Sequence, residues 1–343
     1  MTAALITGIS GTVLTADERA FLGDCKPAGL ILFARNCVSS DQIRALVDDV
    51  RAAAGTEALL VLIDQEGGRV QRLKPPISRL LPPAAAYARL YAHDRDAGRA
   101  AAFAHARFVA DSLARLGINT NCAPVLEVRV AGAHDIIGDR AYGATPDQII
   151  DLGREIVSGF LAGGVVPVIK HLPGHGRATA DSHLALPVVE TSRAELHRTD
   201  FVPFKALADA PAAMTAHVVY TAIDRDHPAS TSLIVTRDII RGDMGFDGLL
   251  MSDDLSMKAL TGPMRARAQA VIAAGSDVAL HCNGDMVEMI EVAKGVPQLS
   301  HLALKRFERA YALTTACSSF DSAEAERLID MAQAAHATAT ESV

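Results

Sequence analysis

Along the chain, short apolar runs alternate with longer stretches whose apolar positions recur at helical spacing. That alternation predicts a parallel sheet with interposed helices. Eight short runs read as strands, at residues 3–8, 28–33, 59–64, 120–125, 165–171, 212–218, 248–253 and 277–282. Most are continuously apolar, as strands covered on both faces are. The helices between them carry start and stop signals. Ser39 and Gln42 form a capping-box pattern ahead of Ile43, Leu46, Val47 and Val50, which share one helical face. Thr145-Pro146-Asp147-Gln148 and Ser192 with Glu195 mark two further helix starts. Phe103, Ala106, Ala110 and Leu113 follow the helical period, and Gly117 closes that segment.

Eight strands with intervening helices predict an α/β fold, a (β/α)₈ TIM-type barrel with its active site at the C-terminal ends of the strands. A doubly wound sheet is the alternative, but no GxGxxG follows the first strand. There is no Pro/Ser-rich linker, so residues 1–318 read as one catalytic barrel and residues 319–343 as a terminal helix with a frayed Ala/Thr tail.

Composition narrows the classes. With 50% hydrophobic and 21% charged residues, the 343-residue chain reads as globular and long enough for a large core. A formal charge of −7 argues against a nucleic-acid partner. The five cysteines (Cys25, Cys37, Cys122, Cys282, Cys317) form no CxxC pair and read as free thiols. No apolar stretch approaches the ~20 residues needed to span a bilayer, and the N-terminus lacks a basic, signal-like region. The expectation is a cytoplasmic protein without membrane contact, and a monomer.

The polar residues at the strand ends carry the chemistry. The third predicted strand ends in Asp64, followed by Gln65-Glu66-Gly67-Gly68-Arg69-Val70-Gln71-Arg72; the fifth ends in Lys170-His171, the sixth in His217 and the seventh in Ser252-Asp253-Asp254. Such residues after apolar strands are costly unless paired or used. Taken singly, each is well explained as a helix cap or a satisfied core group, but four strand ends converging on one face are not. Asp181 and His183 lie two residues apart on a Gly/Pro-punctuated loop, close enough for the carboxylate to orient an imidazole that works as a general acid and base. Gly67-Gly68 reads as a tight turn, His175 as a loop-shaping residue and His93-Asp94-Arg95-Asp96 as solvated surface.

The stretch from Lys170 to His183, KH-x-PGHG-x₄-DSH, resembles the signature of family 3 glycoside hydrolases of the β-N-acetylhexosaminidase type, the bacterial enzymes of peptidoglycan recycling in particular. GLILF at 29–33, DQEGGRV at 64–70, IGDR at 137–140, AHV at 216–218 and SDDLSM at 252–257 match in family order. The resemblance implies that Asp253 is the nucleophile of a covalent mechanism, His183 the acid/base and Asp181 its dyad partner. It also implies that Asp64, Arg72, Arg140, Lys170 and His171 contact the sugar and its N-acetyl group; neither a cofactor nor a metal is expected. The implied substrate is a short one, N-acetylglucosamine β-linked to anhydro-N-acetylmuramic acid with or without peptide. The lack of tryptophan and the few other aromatics (5 Tyr, 10 Phe) fit a short substrate better than a polymer.

Some readings stand beside this one. Arg72, Arg140 and Lys170 also suit a structural network neutralising Asp64, Asp139 or Asp253. Asp254 rivals Asp253 as nucleophile, although alternation turns its side chain to the opposite face if the strand continues. Glu127 stands where these enzymes commonly carry aspartate. A metal-dependent barrel hydrolase could use Lys170, His171, His217 and Asp253, but the first strand leads into Ile9-Ser10 without an HxH. A non-catalytic sugar-binding barrel is the remaining alternative, and the intact Asp253, Asp181 and His183 argue against it.

Overall fold

The computed structural model describes the chain except residues 131, 133, 179, 181, 183, 316, 317 and 341–343, and the side chains of 338–340. Asp181, His183 and Cys317 therefore lie outside the described residues.

Eight parallel strands close into a barrel: β1 (Ala3–Thr7), β2 (Pro27–Leu32), β3 (Leu60–Ile63), β4 (Thr120–Asn121), β5 (Val166–Leu172), β6 (Ala212–Thr215), β7 (Leu249–Asp254) and β8 (Val278–His281). Neighbours in sequence are neighbours in the barrel, and β1 pairs with β8 to close it. Each predicted strand is present, although the fourth is two residues long rather than six. Helices α1 (Ala16–Cys25), α2 (Ser40–Ala54), α3 (Ala84–His93), α4 (Arg95–Ala114), α5 (Pro146–Ala162), α6 (Arg193–Arg198), α7 (Val202–Ala206), α8 (Met264–Ala273), α9 (Met286–Gly295), α10 (His301–Ala312) and α11 (Ser322–Thr340) accompany the strands. Between β6 and β7 the crossover is a π-type helix, Val235–Asp243.

The helix starts differ in detail from the sequence pattern. Ser39 caps α2 through the Gln42 N–H at 3.3 Å, while the Gln42 side chain accepts from Val38 rather than Ser39. The Ser192 hydroxyl accepts from Glu195 N–H at 3.3 Å. Pro146 opens α5, but Gln148 reaches across to the Ala88 carbonyl instead of back to its own cap. Asp94, exposed as expected, is the N-cap of α4.

The period of two along each strand divides the core. Leu60 and Leu62, Val166 and Val168, Ala212 and Met214, and Leu249 and Met251 fill the barrel. Val61, Ile63, Val165, Ile169, Ala213 and Leu250 pack outward into the main cluster with the helices. Ile329 and Ala332 place α11 in that outer cluster. This alternation decides which strand-end residues face the site: continued one step, the inward series reaches Phe33, Asp64, Lys170 and Asp253.

Candidate active site

A cavity of about 270 Å³ opens at the C-terminal ends of the strands, and Asp64, Arg72, Arg140, Lys170, His171 and Asp253 all border it. These are the described members of the site expected from sequence. Phe33, Met214 and Met257 add apolar wall. The Phe33 ring lies under the guanidinium groups of both Arg35 and Arg72, 4.9 and 5.1 Å from its centroid.

The floor is an alternating chain of charges. Arg72 donates to Asp64 at 3.1 Å, and Lys170 Nζ sits 2.8 Å from both Asp64 Oδ1 and Glu66 Oε1. Arg140 then forks onto both oxygens of Glu66 at 2.9 and 2.8 Å, a bidentate, charge-assisted geometry. Burial pushes the Asp64 carboxyl up, but Lys170 and Arg72 outweigh it and hold Asp64 well below the usual carboxylate range. Glu66 is likewise brought down to about 2, its burial overcome by Arg140 and Lys170. Lys170 is held above the ordinary lysine value despite burial, by the same two carboxylates. Asp64, Glu66, Lys170 and Arg140 are thus ionised near neutrality. The structural-network reading of Arg72, Arg140 and Lys170 holds for Asp64, with Glu66 as the second anion, and all three cations also border the cavity.

Local folding explains the placement. Asp64 follows β3, and Gln65–Gly67 turns back against Val70–Gln71 as a small hairpin. Gly67 and Gly68 have φ of 100° and 56°, so the expected tight turn needs glycine. Its Gln65 Oε1 accepts from the N–H groups of Arg72 and Leu73, both at 2.9 Å, which fixes Arg72. Arg140 sits in a one-turn helix, Gly138–Arg140. Arg69 holds the preceding loop by donating to the Ile136 and Ile137 carbonyls. At Gly176 an added Cβ would lie 2.1 Å from the Val128 carbonyl oxygen, so the loop leaving β5 sits directly against the segment after β4.

Asp253 is 6% exposed, and its Oδ1 accepts the Asp254 N–H at 2.8 Å. Asp254 also borders the cavity, so alternation does not turn it away; the register against β8 shifts between Met251 and Asp254. Its carboxylate is occupied instead, accepting from Ser256 N–H at 3.0 Å, Cys282 N–H at 3.1 Å and the Ser256 hydroxyl. Asp253 carries no such set of partners among the described residues. His217 does not border the cavity. Its Nε2 lies 3.0 Å from the Asp254 carbonyl and its Nδ1 2.7 Å from Ser230 Oγ. A carbonyl only accepts, so Nε2 carries the proton and His217 is a strut under the β7 end.

His171 departs from the alternation of β5, where the register against β6 shifts between Lys170 and Leu172. Its backbone N–H and Nδ1 both meet Glu127 Oε1, at 2.6 and 2.8 Å. Burial pushes His171 down to about 3 and His175 down to about 4, so both are neutral near pH 7. Burial raises Glu127 to about 7, against the opposing His171 N–H. Glu66 and the Glu127–His171 contact are the parts that sequence reasoning left unassigned. Glu66 was accessible, since in extended chain it shares a side with Asp64. The four described cysteines are free, and no group of residues with metal-holding geometry occurs among the described residues.

Fold and cavity together define a barrel enzyme with a small, polar site at the strand ends. The chain belongs to glycoside hydrolase family 3: residues 8–312 match the glycosyl hydrolase family 3 N-terminal domain. A beta-hexosaminidase of Alkalilimnicola ehrlichii is 41% identical over 285 residues, which is 81% of this chain and 80% of that one. Another, from Methylococcus capsulatus, is 42% identical over 279 residues, 80% of each chain. The crystal structure of NagZ from Neisseria gonorrhoeae in complex with N-trifluoroacetyl-D-glucosamine aligns with a TM-score of 0.83 at 31% identity, covering 98% of this chain and 96% of that one. These likenesses agree with the sequence-based reading of a glycoside hydrolase of the β-N-acetylhexosaminidase type.

Proposed function

We propose that this enzyme is a retaining exo-β-N-acetylhexosaminidase that releases terminal N-acetylglucosamine from short cell-wall fragments through a glycosyl ester on Asp253. The observation that carries the reading is the placement of Asp253. It continues the inward series Leu249 and Met251 to the cavity wall, while the neighbouring Asp254 carboxylate is tied to Ser256 and Cys282. A carboxylate at the end of a packed strand is held rigidly for attack on the anomeric carbon. A cavity of about 270 Å³ is small for a ligand site, which favours one terminal sugar ring over an internal unit of a polymer. Asp64, Arg72, Arg140, Lys170 and His171 bind its hydroxyls and N-acetyl group.

In the first step Asp253 attacks the anomeric carbon while His183, oriented by Asp181, protonates the departing glycosidic oxygen. In the second, His183 takes a proton from water, which attacks the same carbon and releases Asp253. Two inversions give net retention. The natural substrate in this reading is N-acetylglucosamine linked to anhydro-N-acetylmuramic acid, with or without peptide, hydrolysed in the cytoplasm by a monomer. The free thiols of Cys25, Cys37, Cys122 and Cys282 fit a reducing compartment.

The test pairs aryl β-N-acetylglucosaminide with aryl β-glucoside, on wild type, Asp253→Ala and His183→Ala. The expected result is preference for the N-acetyl sugar, almost complete loss in Asp253→Ala with partial rescue by azide, and a fluoro-glycosyl adduct on the Asp253 peptide by mass spectrometry. His183→Ala should lose least on substrates with good leaving groups. More than a few per cent of wild-type turnover in Asp253→Ala, or activity without any adduct, would refute the nucleophile assignment.

A further inference from the structure

We propose that Glu127 is a positioning residue that holds His171 as the Nδ1–H tautomer, so that His171 Nε2 meets the sugar purely as a hydrogen-bond acceptor. The inference rests on the cavity being the sugar site proposed above.

The segment carrying Glu127 continues the barrel pairing beyond β4. Val125 bridges Lys170 in parallel, and Leu126 N–H donates to the Lys170 carbonyl at 2.9 Å. Glu127 is therefore fixed in height beside His171, and it is fully buried. One of its oxygens receives two contacts from the same residue, His171 N at 2.6 Å and His171 Nδ1 at 2.8 Å. The backbone N–H only donates. Above the Glu127 value of about 7 its carboxylate oxygen is ionised and only accepts, so there Nδ1 must carry a proton as well. Burial keeps the ring neutral, and a neutral imidazole has one proton. Nε2 is then bare, on a ring that lines the cavity.

Among the described residues Glu127 is the only hydrogen-bond partner of the ring. His175 packs edge-on, its ring centroid 6.0 Å from that of His171, and its own Nδ1 has no partner among the described residues. Lys170 and Arg140 also face His171, and both only donate, so neither takes a proton from it. Asp253 and Glu66 face it too, and neither is within hydrogen-bonding distance of its ring in the described contacts. The chemical consequence is selectivity for a hydroxyl. A bare Nε2 accepts from a sugar O–H, whereas a fluorine or ether oxygen at that position brings no proton and leaves two lone pairs opposed.

The experiment uses protein labelled with ¹⁵N in histidine, at pH 8 where Glu127 is ionised, with His171 assigned by signal loss in His171→Gln. Long-range ¹H–¹⁵N spectra identify Nε2 because it couples to both ring C–H protons. The expected wild-type result is an unprotonated Nε2. Glu127→Leu should move the proton to Nε2 and raise KM for an aryl β-N-acetylglucosaminide roughly tenfold or more, the loss that follows when a buried donor is stranded, with a smaller change in kcat. Glu127→Asp should restore the tautomer and most of the affinity. A protonated Nε2 in the wild type overturns the proposal even if Glu127→Leu fails to fold. So does a Glu127→Leu protein with wild-type tautomer and KM. Absence of wild-type turnover on any aryl sugar would instead refute the proposed function, since the spectra report the tautomer independently.

Discussion

Replacing Lys170 by methionine removes the central cation of the charge chain while nearly keeping its volume. Two contacts disappear, each 2.8 Å, from a side chain only 3% exposed. Asp64 keeps Arg72, and Glu66 keeps the Arg140 fork, so neither acid is left wholly unpaired. Breaking a buried pair costs about 3–5 kcal/mol, and the surviving partners put this case near 3 kcal/mol. Unfolding entropy of roughly 2.1 cal/mol/K per residue gives about 0.7 kcal/mol/K for a chain of 343 residues. The expected fall in Tm is therefore about 4 °C. The pH dependence separates this cause from lost packing. Both carboxylates are depressed in the folded state, so the stability they contribute is complete above their unfolded values of about 4. It fades as pH falls towards the Glu66 value of about 2. Urea unfolding followed by circular dichroism should show the full gap between wild type and Lys170→Met at pH 7 and a narrowed one at pH 2.5. A gap of equal size at both pH values, or one below about 1 kcal/mol at pH 7, would refute the electrostatic account.

Two further substitutions test how the site is held. His217→Ala removes the donor to the Asp254 carbonyl and should lower kcat about tenfold to hundredfold with less change in KM, since a small misplacement of a reacting group is costly; steady-state kinetics on an aryl glycoside would show it, and an unchanged kcat would mean that β7 is positioned without this strut. Gly176→Ala forces the loop after β5 away from Val128. Its kcat/KM should fall by about tenfold or more while the far-ultraviolet spectrum stays that of the barrel, and wild-type activity would show that the backbone gives way cheaply there.

Much of this architecture was legible because a parallel barrel writes two signals at once. Leu60-Val61-Leu62-Ile63 is apolar throughout since both faces are covered, and the first polar residue after it, Asp64, marks the strand end. The same reading located Lys170 and Asp253, and the family motifs pointed to Arg72 and Arg140, which no periodicity could place. What stayed hidden depends on departures from regular geometry. The register shift beside β5 brings His171 into the cavity although it is out of phase with Val166 and Val168. The shift beside β7 keeps Asp254 at the rim. Thr120-Asn121 forms only two residues of strand, and the segment to Glu127 then follows β5 through a single bridge. Glu127 looked like a local departure from a family pattern; its two contacts to His171 are long-range in sequence and have no local signature. Asp181 and His183 lie outside the described residues, so their roles rest on the resemblance and the proposed test.

The pairing of β1 with β8 joins Leu5 to Ala279 and Thr7 to His281. During synthesis, the first strand emerges long before its partner and waits with one hydrogen-bonding edge open for most of translation. Strand β7, which carries Asp253, gains its second neighbour only when β8 has followed it. A ribosome-bound fragment ending before residue 278 lacks β8, so neither β1 nor β7 has its closing partner, and such open edges favour misassembly.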